Sequence, residues 1–444
     1  MKIIIAGAGK VGYNLAKNLS HHHEVTVIDK NEEALERLSE ELDILPILGD
    51  VENPQTYRDL NEKGIDLFIS VTNVDEVNIL SLLILDQYIH ADKKIIRLKK
   101  TFFKHADLLK KLDIFAAIYP LLITTKKVEN LVKYSKANNV KSFSYTKAKL
   151  ISVKINHDEN FSIFLKNFLQ DYKNVIAVGI ERDKKFIILN ENDVIENGDL
   201  VYFFGDPKEI KALCSKIETK TPEVITKCVV YGASSLGVEI AKALLKKDLQ
   251  VKLIEKDPKL CQRASEKLEG DITVINSKYS SHSFFSDEML SNADIFIATT
   301  ENDEYNIIKC MEASESGIKK VVSINNDLEY YDLMHRLQIA VVRGVKANAF
   351  YTILEKIESN YIITQKQFCG GKAKIFLRKI FKGSPLIGKT IKAYPFFKKA
   401  LSILIRDEKI APFYGKIECK ENDVIVVFSV KEECEKIQKW INSL

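Results

Sequence analysis

The chain of 444 residues is written twice. "IIIAGAGKVGYNLAKNL" returns as "CVVYGASSLGVEIAKAL", with Gly7 opposite Gly232 and Gly12 opposite Gly237. "VTVIDKNEEALERLSEEL" returns as "VKLIEKDPKLCQRASEKL", which sets Asp29 opposite Glu255. "IDLFISVTNVDEVNIL" returns as "ADIFIATTENDEYNII", with Asp66 opposite Asp294 and Asn78 opposite Asn306, and "KKIIRL" pairs with "KKVVSI". The offset stays nearly constant along each half, which chance matches would not do. A shorter pattern repeats as well: Arg182 and Asp183 fall opposite Arg406 and Asp407, and Asp199 opposite Asp423. The layout is therefore large–small–large–small.

Each large block alternates apolar strands such as "IIIAG", "EVTVID" and "DLFISVT" with amphipathic helices. That order predicts α/β architecture: two Rossmann-like, doubly wound parallel-sheet domains, each followed by a small α+β domain. Composition divides the chain into residues 1–138, 140–218, 224–358 and 370–444. The joints are placed at Asn138-Asn139, in the polar "ETKTPEV" and at "CGGK".

Composition excludes several classes. Hydrophobic content of 46% with 29% charged residues is that of a chain able to bury cores. A net charge of +5 is small for this length, so no nucleic-acid partner is expected, and Lys126-Lys127 and Lys398-Lys399 read as solvated faces. Seven cysteines without a CxxC pair argue for free thiols in a reducing compartment, not a metal site. His21 to His23 are consecutive at a helix end, where they cannot converge on one ion. The run "ILSLLILDQYI" is broken by Asp86 and is too short to cross a membrane, so no transmembrane segment is expected.

The first large block carries a dinucleotide fingerprint. Gly7 permits the tight turn after the first strand, Gly9 lacks a Cβ where a pyrophosphate comes close, and Gly12 lets the next helix pack on the sheet. That helix offers free N–H groups and its positive end to phosphates. Asp29, ending the second strand, is placed to accept from adenosine ribose hydroxyls and to repel a 2′-phosphate, favouring NAD over NADP. The fourth strand delivers Thr72 and Asn73 to the crevice. Asp75 and Glu76 read either as site residues or as simple helix caps, and Asp50 either as an adenine-side carboxylate or as part of a plain turn. Arg97 meets either a phosphate or carboxylate, or only a surface ion pair.

"GAGKVG", "VID", "LGD", "VTNVDEVNIL" and "KKIIRL" together resemble the TrkA family, the cytoplasmic regulatory subunits of Trk potassium-uptake systems. The resemblance covers essentially the whole chain, and the "TNxDExN" block with the duplicated layout is its specific part. It implies a non-enzymatic homo-oligomer on the inner face of the plasma membrane, partnered with an integral-membrane potassium-translocating subunit. It implies NAD(H) as ligand, with ATP and ADP as further effectors. Carried onto this chain, Gly7, Gly9, Lys10, Val11 and Gly12 would meet the phosphates and Asp29 the ribose. Asp50 and Val51 would lie on the adenine side, with Thr72, Asn73 and Arg97 at the far end. The corresponding second cleft would use Gly232, Ser234, Ser235, Leu236, Gly237 and Glu255. No metal or catalytic residue is implied.

The second cleft departs from the pattern. Ser234 stands where Gly9 does, "INSK" replaces "ILGD" so that Asn276-Ser277 stands in for Gly49-Asp50, and Ser323 takes the place of Arg97. These changes predict weak or no NAD binding there; Arg343 remains for an interface or phosphate role. The rival reading is an NAD-dependent oxidoreductase. It requires a substrate domain with a positioned acid/base. The first small block is only about 70 residues long, and its sole histidine, His157, reads as an exposed loop position.

Overall fold

The computed structural model describes residues 1–60, 64–105, 107–157, 161–277, 290–359, 363–393 and 399–444. Lys398 of the second lysine pair lies outside the described residues. The first large block forms six parallel strands, β1 (Lys2–Ala6), β2 (Glu24–Asp29), β3 (Leu45–Leu48), β4 (Gly64–Ser70), β5 (His90–Arg97) and β6 (Ala116–Ile118), in the order 3-2-1-4-5-6. Between them run α1 (Lys10–Leu19), α2 (Glu32–Glu41), α3 (Pro54–Asp59), α4 (Asp75–Tyr88) and α5 (Leu108–Lys111), and α6 (Pro120–Lys133) follows β6. Alternate residues of β1 serve opposite faces: Ile3 and Ile5 join one core with Leu15, Val27 and Ile69, whereas Ile4 and Ala6 join another with Ile28, Phe68 and Leu85. Burial on both faces explains the unbroken apolar run that opens the sequence.

The chain divides into two units. Unit 1 holds Met1–Thr124 and, from much later in the chain, Arg343–Ile357. Ala349, Ile353 and Leu354 of the helix Val345–Glu358 are buried in the same core as Ile3, Ile5 and Leu15. Asn348 anchors that helix, donating from Nδ2 to Thr124 Oγ1 at 2.7 Å and to the Arg343 carbonyl at 2.5 Å.

Unit 2 holds Thr125–Val342 and Glu358–Leu444. Its parallel sheet repeats the first, with Lys227–Tyr231 between Gln250–Glu255 and Ile295–Ala298, again in 3-2-1-4-5-6 order. Two five-stranded antiparallel sheets correspond to the small blocks, and they too share one strand order. Their facing sides form one core, where Phe204 meets Phe428 and Phe186 meets Phe368 at ring-centroid distances of 5.2 and 5.1 Å. The repeat extends to single bonds. Arg182 donates to both carboxylate oxygens of Asp199 at 2.8 and 2.7 Å, and Arg406 does so to Asp423 at the same distances.

Two expected linkers are structured instead. Asn139 begins the strand Asn139–Ser142, paired with Lys149–Lys154, and Asn138 accepts the Lys154 N–H. "CGGK" is the turn of a hairpin between Ile363–Phe368 and Ala373–Lys379. Both glycines there have positive φ, as a tight turn demands, which is why turn composition passed for a joint. His21 to His23 follow α1 in the loop before β2, as expected. The described cysteines are all free, and among the described residues no cluster suited to a metal occurs, nor any helix long and apolar enough to cross a membrane.

Candidate functional site

At the carboxyl ends of β1 and β4, where strand order reverses, unit 1 has a cavity of about 360 Å³. Its floor is the turn from β1 into α1. Gly7 sits at φ +113° and donates to the Ile28 carbonyl, and Asp29 Oδ2 accepts the Ala8 N–H at 2.6 Å. A Cβ at Gly12 would lie 1.8 Å from the Gly7 carbonyl oxygen, so helix–turn packing alone demands glycine there. At Gly9 an added Cβ meets no protein atom within 4 Å. Protein packing does not need that glycine; a ligand lying against the backbone would. Gly9 is also the residue before α1 and, having no side chain, supplies no cap, which leaves first-turn N–H groups for an anion.

Of the expected residues, Gly7, Gly9, Lys10, Val11, Asp29, Asp50, Val51, Thr72, Asn73 and Arg97 line the cavity, and Gly12 lies beneath it. Asn78 holds the far wall together. It is fully buried, accepts from the Thr72 N–H and hydroxyl, and donates to the Thr72 and Arg97 carbonyls, tying the end of β4 to that of β5. Arg97 is 5% exposed, so the surface ion pair weighed from sequence does not form. Its Nη1 reaches Val71 O and Asn73 Oδ1 at 3.4 and 3.3 Å, while Nε is buried without a partner. Burial pulls its pKa below the ordinary arginine value, against the pull of Asp75. A buried guanidinium with an orphaned N–H and long remaining bonds suits an arriving anion.

Asp75 and Glu76 do not cap α4 from outside. Asp75 is the first helical residue, and its carboxylate accepts the N–H groups of Lys99 and Lys100, pinning the loop after β5; Glu76 pairs with Lys100. Sequence reasoning missed Lys30 and Glu52, whose loop neighbours signalled them, and Lys346, which no local signal could place.

The second cavity, about 650 Å³, is lined by Gly232, Ser234 and Glu255, while Ser235, Leu236 and Gly237 do not line it. Glu255 repeats the Asp29 bond, accepting the Ala233 N–H at 2.7 Å. Two alignments shift by one residue. Ile69 pairs with Ile95 and Ile297 with Val322, so Ile324, not Ser323, occupies the Arg97 position. The Asn306 bond to the Ile324 carbonyl matches that of Asn78 to Arg97. Likewise Asp29 pairs with Leu48 and Glu255 with Asn276, which makes Ser277 the counterpart of Gly49; the next residue, Lys278, lies outside the described residues. Strand register, set by hydrogen bonds, overrides the likeness of "KKIIRL" to "KKVVSI". Tyr231 and Tyr305 replace Ala6 and Val77, their hydroxyls 2.9 Å apart. Arg343 lies 3.7 Å over the Tyr351 ring, and His157 is half-buried against Phe161 instead of exposed.

The TrkA-N domain family matches residues 3–120 and 228–343, and the TrkA-C domain family residues 163–218. The chain belongs to the TrkA family. A Trk system potassium uptake protein TrkA homolog of Archaeoglobus fulgidus is 26% identical over 442 residues, covering 99% of each chain. The Halomonas elongata Trk system potassium uptake protein TrkA is also 26% identical, over 97% of this chain and 96% of its own. Among solved structures, the GsuK RCK domain covers 100% of this chain and 95% of its own at a TM-score of 0.59 and 14% identity. The GsuK channel bound to NAD covers 100% and 79% at 0.61 and 15%. These two show the fold. The TrkA family is regulatory, not enzymatic, and the role of this chain lies in regulating potassium transport.

Proposed function

We propose that this chain is the nucleotide-sensing regulatory subunit of a potassium transporter: it binds NAD(H), and in competition ADP or ATP, in the unit 1 cleft. It would dock as a homo-oligomer on the cytoplasmic side of a separate integral-membrane translocating subunit and control its flux. Four functional parts are proposed, two nucleotide-binding and two small C-terminal, near 1–138, 140–218, 224–358 and 363–444, the last extended from the expected 370 to take in the strand Ile363–Phe368. Gly9 carries the reading: glycine is kept where packing leaves room for a side chain. Asp29 favours NAD over NADP by repelling a 2′-phosphate. Ligand binding can control flux only through unequal affinity for two conformations. Leu80 and Leu83 on α4, and Ile308 and Met311 on the equivalent helix Asp303–Glu315, are exposed apolar residues that support assembly.

Calorimetric titration of the full chain with NADH tests the site. Asp29→Ala is expected to weaken binding about tenfold, and Glu255→Ala to leave it unchanged; the reverse would make the second cleft the sensor. Rescue of potassium uptake beside a translocating subunit tests the partner. Substrate-dependent oxidation of NADH would overturn the regulatory reading in favour of an oxidoreductase.

A further inference from the structure

The unit 1 cleft is not built by the first half of the chain alone. Lys346, the second residue of the helix Val345–Glu358, lines it beside residues that precede it by more than 200 positions. The helix is held there by buried Ala349, Ile353 and Leu354 and by the Asn348 bond to Thr124. Without Lys346 the lining sets Lys10, Lys30 and Arg97 against Asp29, Asp50 and Glu52, so its formal charges cancel. Lys346 makes the cleft net positive. The second cleft shows the opposite balance, Lys256 against Glu255, Glu301 and Glu304. A nucleotide brings at least two phosphate charges, and a cleft of balanced charge gains little from them.

We infer that Lys346 binds a phosphate of the nucleotide in the unit 1 cleft, so that the helix Val345–Glu358 reports occupancy of a site belonging to the other half of the chain. This rests on reading that cleft as a nucleotide site. Lys346 stands in the first turn of the helix Val345–Glu358, and the next strand along the chain, Ile363–Phe368, belongs to the second small sheet. A ligand that draws on Lys346 therefore acts on a covalent connection between the two halves. Arg343, three residues earlier, is committed to the Tyr351 ring and is not assigned this role.

The test uses the full chain with ADP and with NADH as probes, read by calorimetry, and by hydrogen exchange over residues 345–357. Lys346→Met is expected to weaken ADP binding about tenfold and to flatten its dependence on salt. Lys346→Arg should restore most of the affinity, and Lys356→Met, an exposed lysine on the same helix, should change nothing. ADP should slow exchange over 345–357 in the unaltered chain and not in Lys346→Met. Unaltered affinity in Lys346→Met, with the exchange pattern kept, overturns this inference alone. Failure of the unaltered chain to bind either nucleotide overturns the reading of the cleft together with it.

Discussion

The two clefts share a backbone and differ in what fills it. The turn is the same down to the glycine pair: the Gly237 Cβ position lies 1.8 Å from the Gly232 carbonyl oxygen, as Gly12 does from Gly7. Ser234 even keeps the Gly9 backbone, φ −59° and ψ 172° against −65° and −179°. What changed is the lining. Arginine became isoleucine at 324, small residues became Tyr231 and Tyr305, and the charge balance reversed. The glycine pair that packs the turn and the acid that binds it, Asp29 or Glu255, occur in both copies, whereas Gly9 and Arg97 occur in one.

The comparison can be broken most severely at the shared glycines. Gly12→Ala and Gly237→Ala should each cost ~3 kcal/mol or more of stability, since backbone must move to admit the methyl. Denaturant unfolding of the two variants should give similar losses; a large difference would mean that the two turns are not equivalent.

The second test sits at one sheet position. Lys93 pairs with Leu67 and is exposed, whereas Lys320 pairs with Ile295 and is buried, donating to the carbonyls of Ser135 and Ala137. Burial lowers the Lys320 pKa from 10.5 to about 7, with Glu218 opposing. A neutral amine has two hydrogens, and here two carbonyls accept them. Because the unfolded chain then binds the extra proton between these values, this group makes the fold more stable as pH rises from about 7 to 10.5; below about 7 the cost of burying the charge is borne in full. Lys320→Met should abolish that rise, on the order of 5 kcal/mol for the full shift, measured as unfolding free energy against pH, and Lys93→Met should leave the profile intact.

Smaller effects sharpen the ligand side. Arg97→Ile copies the second cleft into the first and should lower nucleotide affinity by about tenfold or somewhat more. Smallest of all in stability, Gly9→Ser should shift unfolding by less than ~0.5 kcal/mol while still weakening NADH binding in calorimetry. Ser234→Gly should confer no binding, because the missing cation and the tyrosines remain. If Gly9→Ser bound NADH normally, the open space above Gly9 would lose its meaning.

Much of this molecule was legible from local pattern. Glycine spacing, the acid ending β2 and the alternation of apolar strands with amphipathic helices follow from constraints within a few residues and point to a doubly wound sheet with its crevice at β1 and β4. Of the ten expected residues that line the cleft, Lys10, Val11 and Val51 came only from the family resemblance. The misreadings share a cause. Asp75 was read against its own helix, although its partners are the N–H groups of Lys99 and Lys100. Ser323 was matched by letters, although hydrogen-bond register selects Ile324. "CGGK" has the composition of a joint and the geometry of a hairpin.

By itself, then, the sequence determined the kinds of element, their duplication and the glycine fingerprint of the first turn. The tertiary structure decided which distant side chains arrive there. Lys346 lines the unit 1 cleft because Ala349, Ile353 and Leu354 find their apolar core in that unit. Hydrophobic burial is non-directional and acts between segments far apart in the chain. The partner it selects is set by shape complementarity between packed surfaces, which a pattern of residues along one strand or helix does not record.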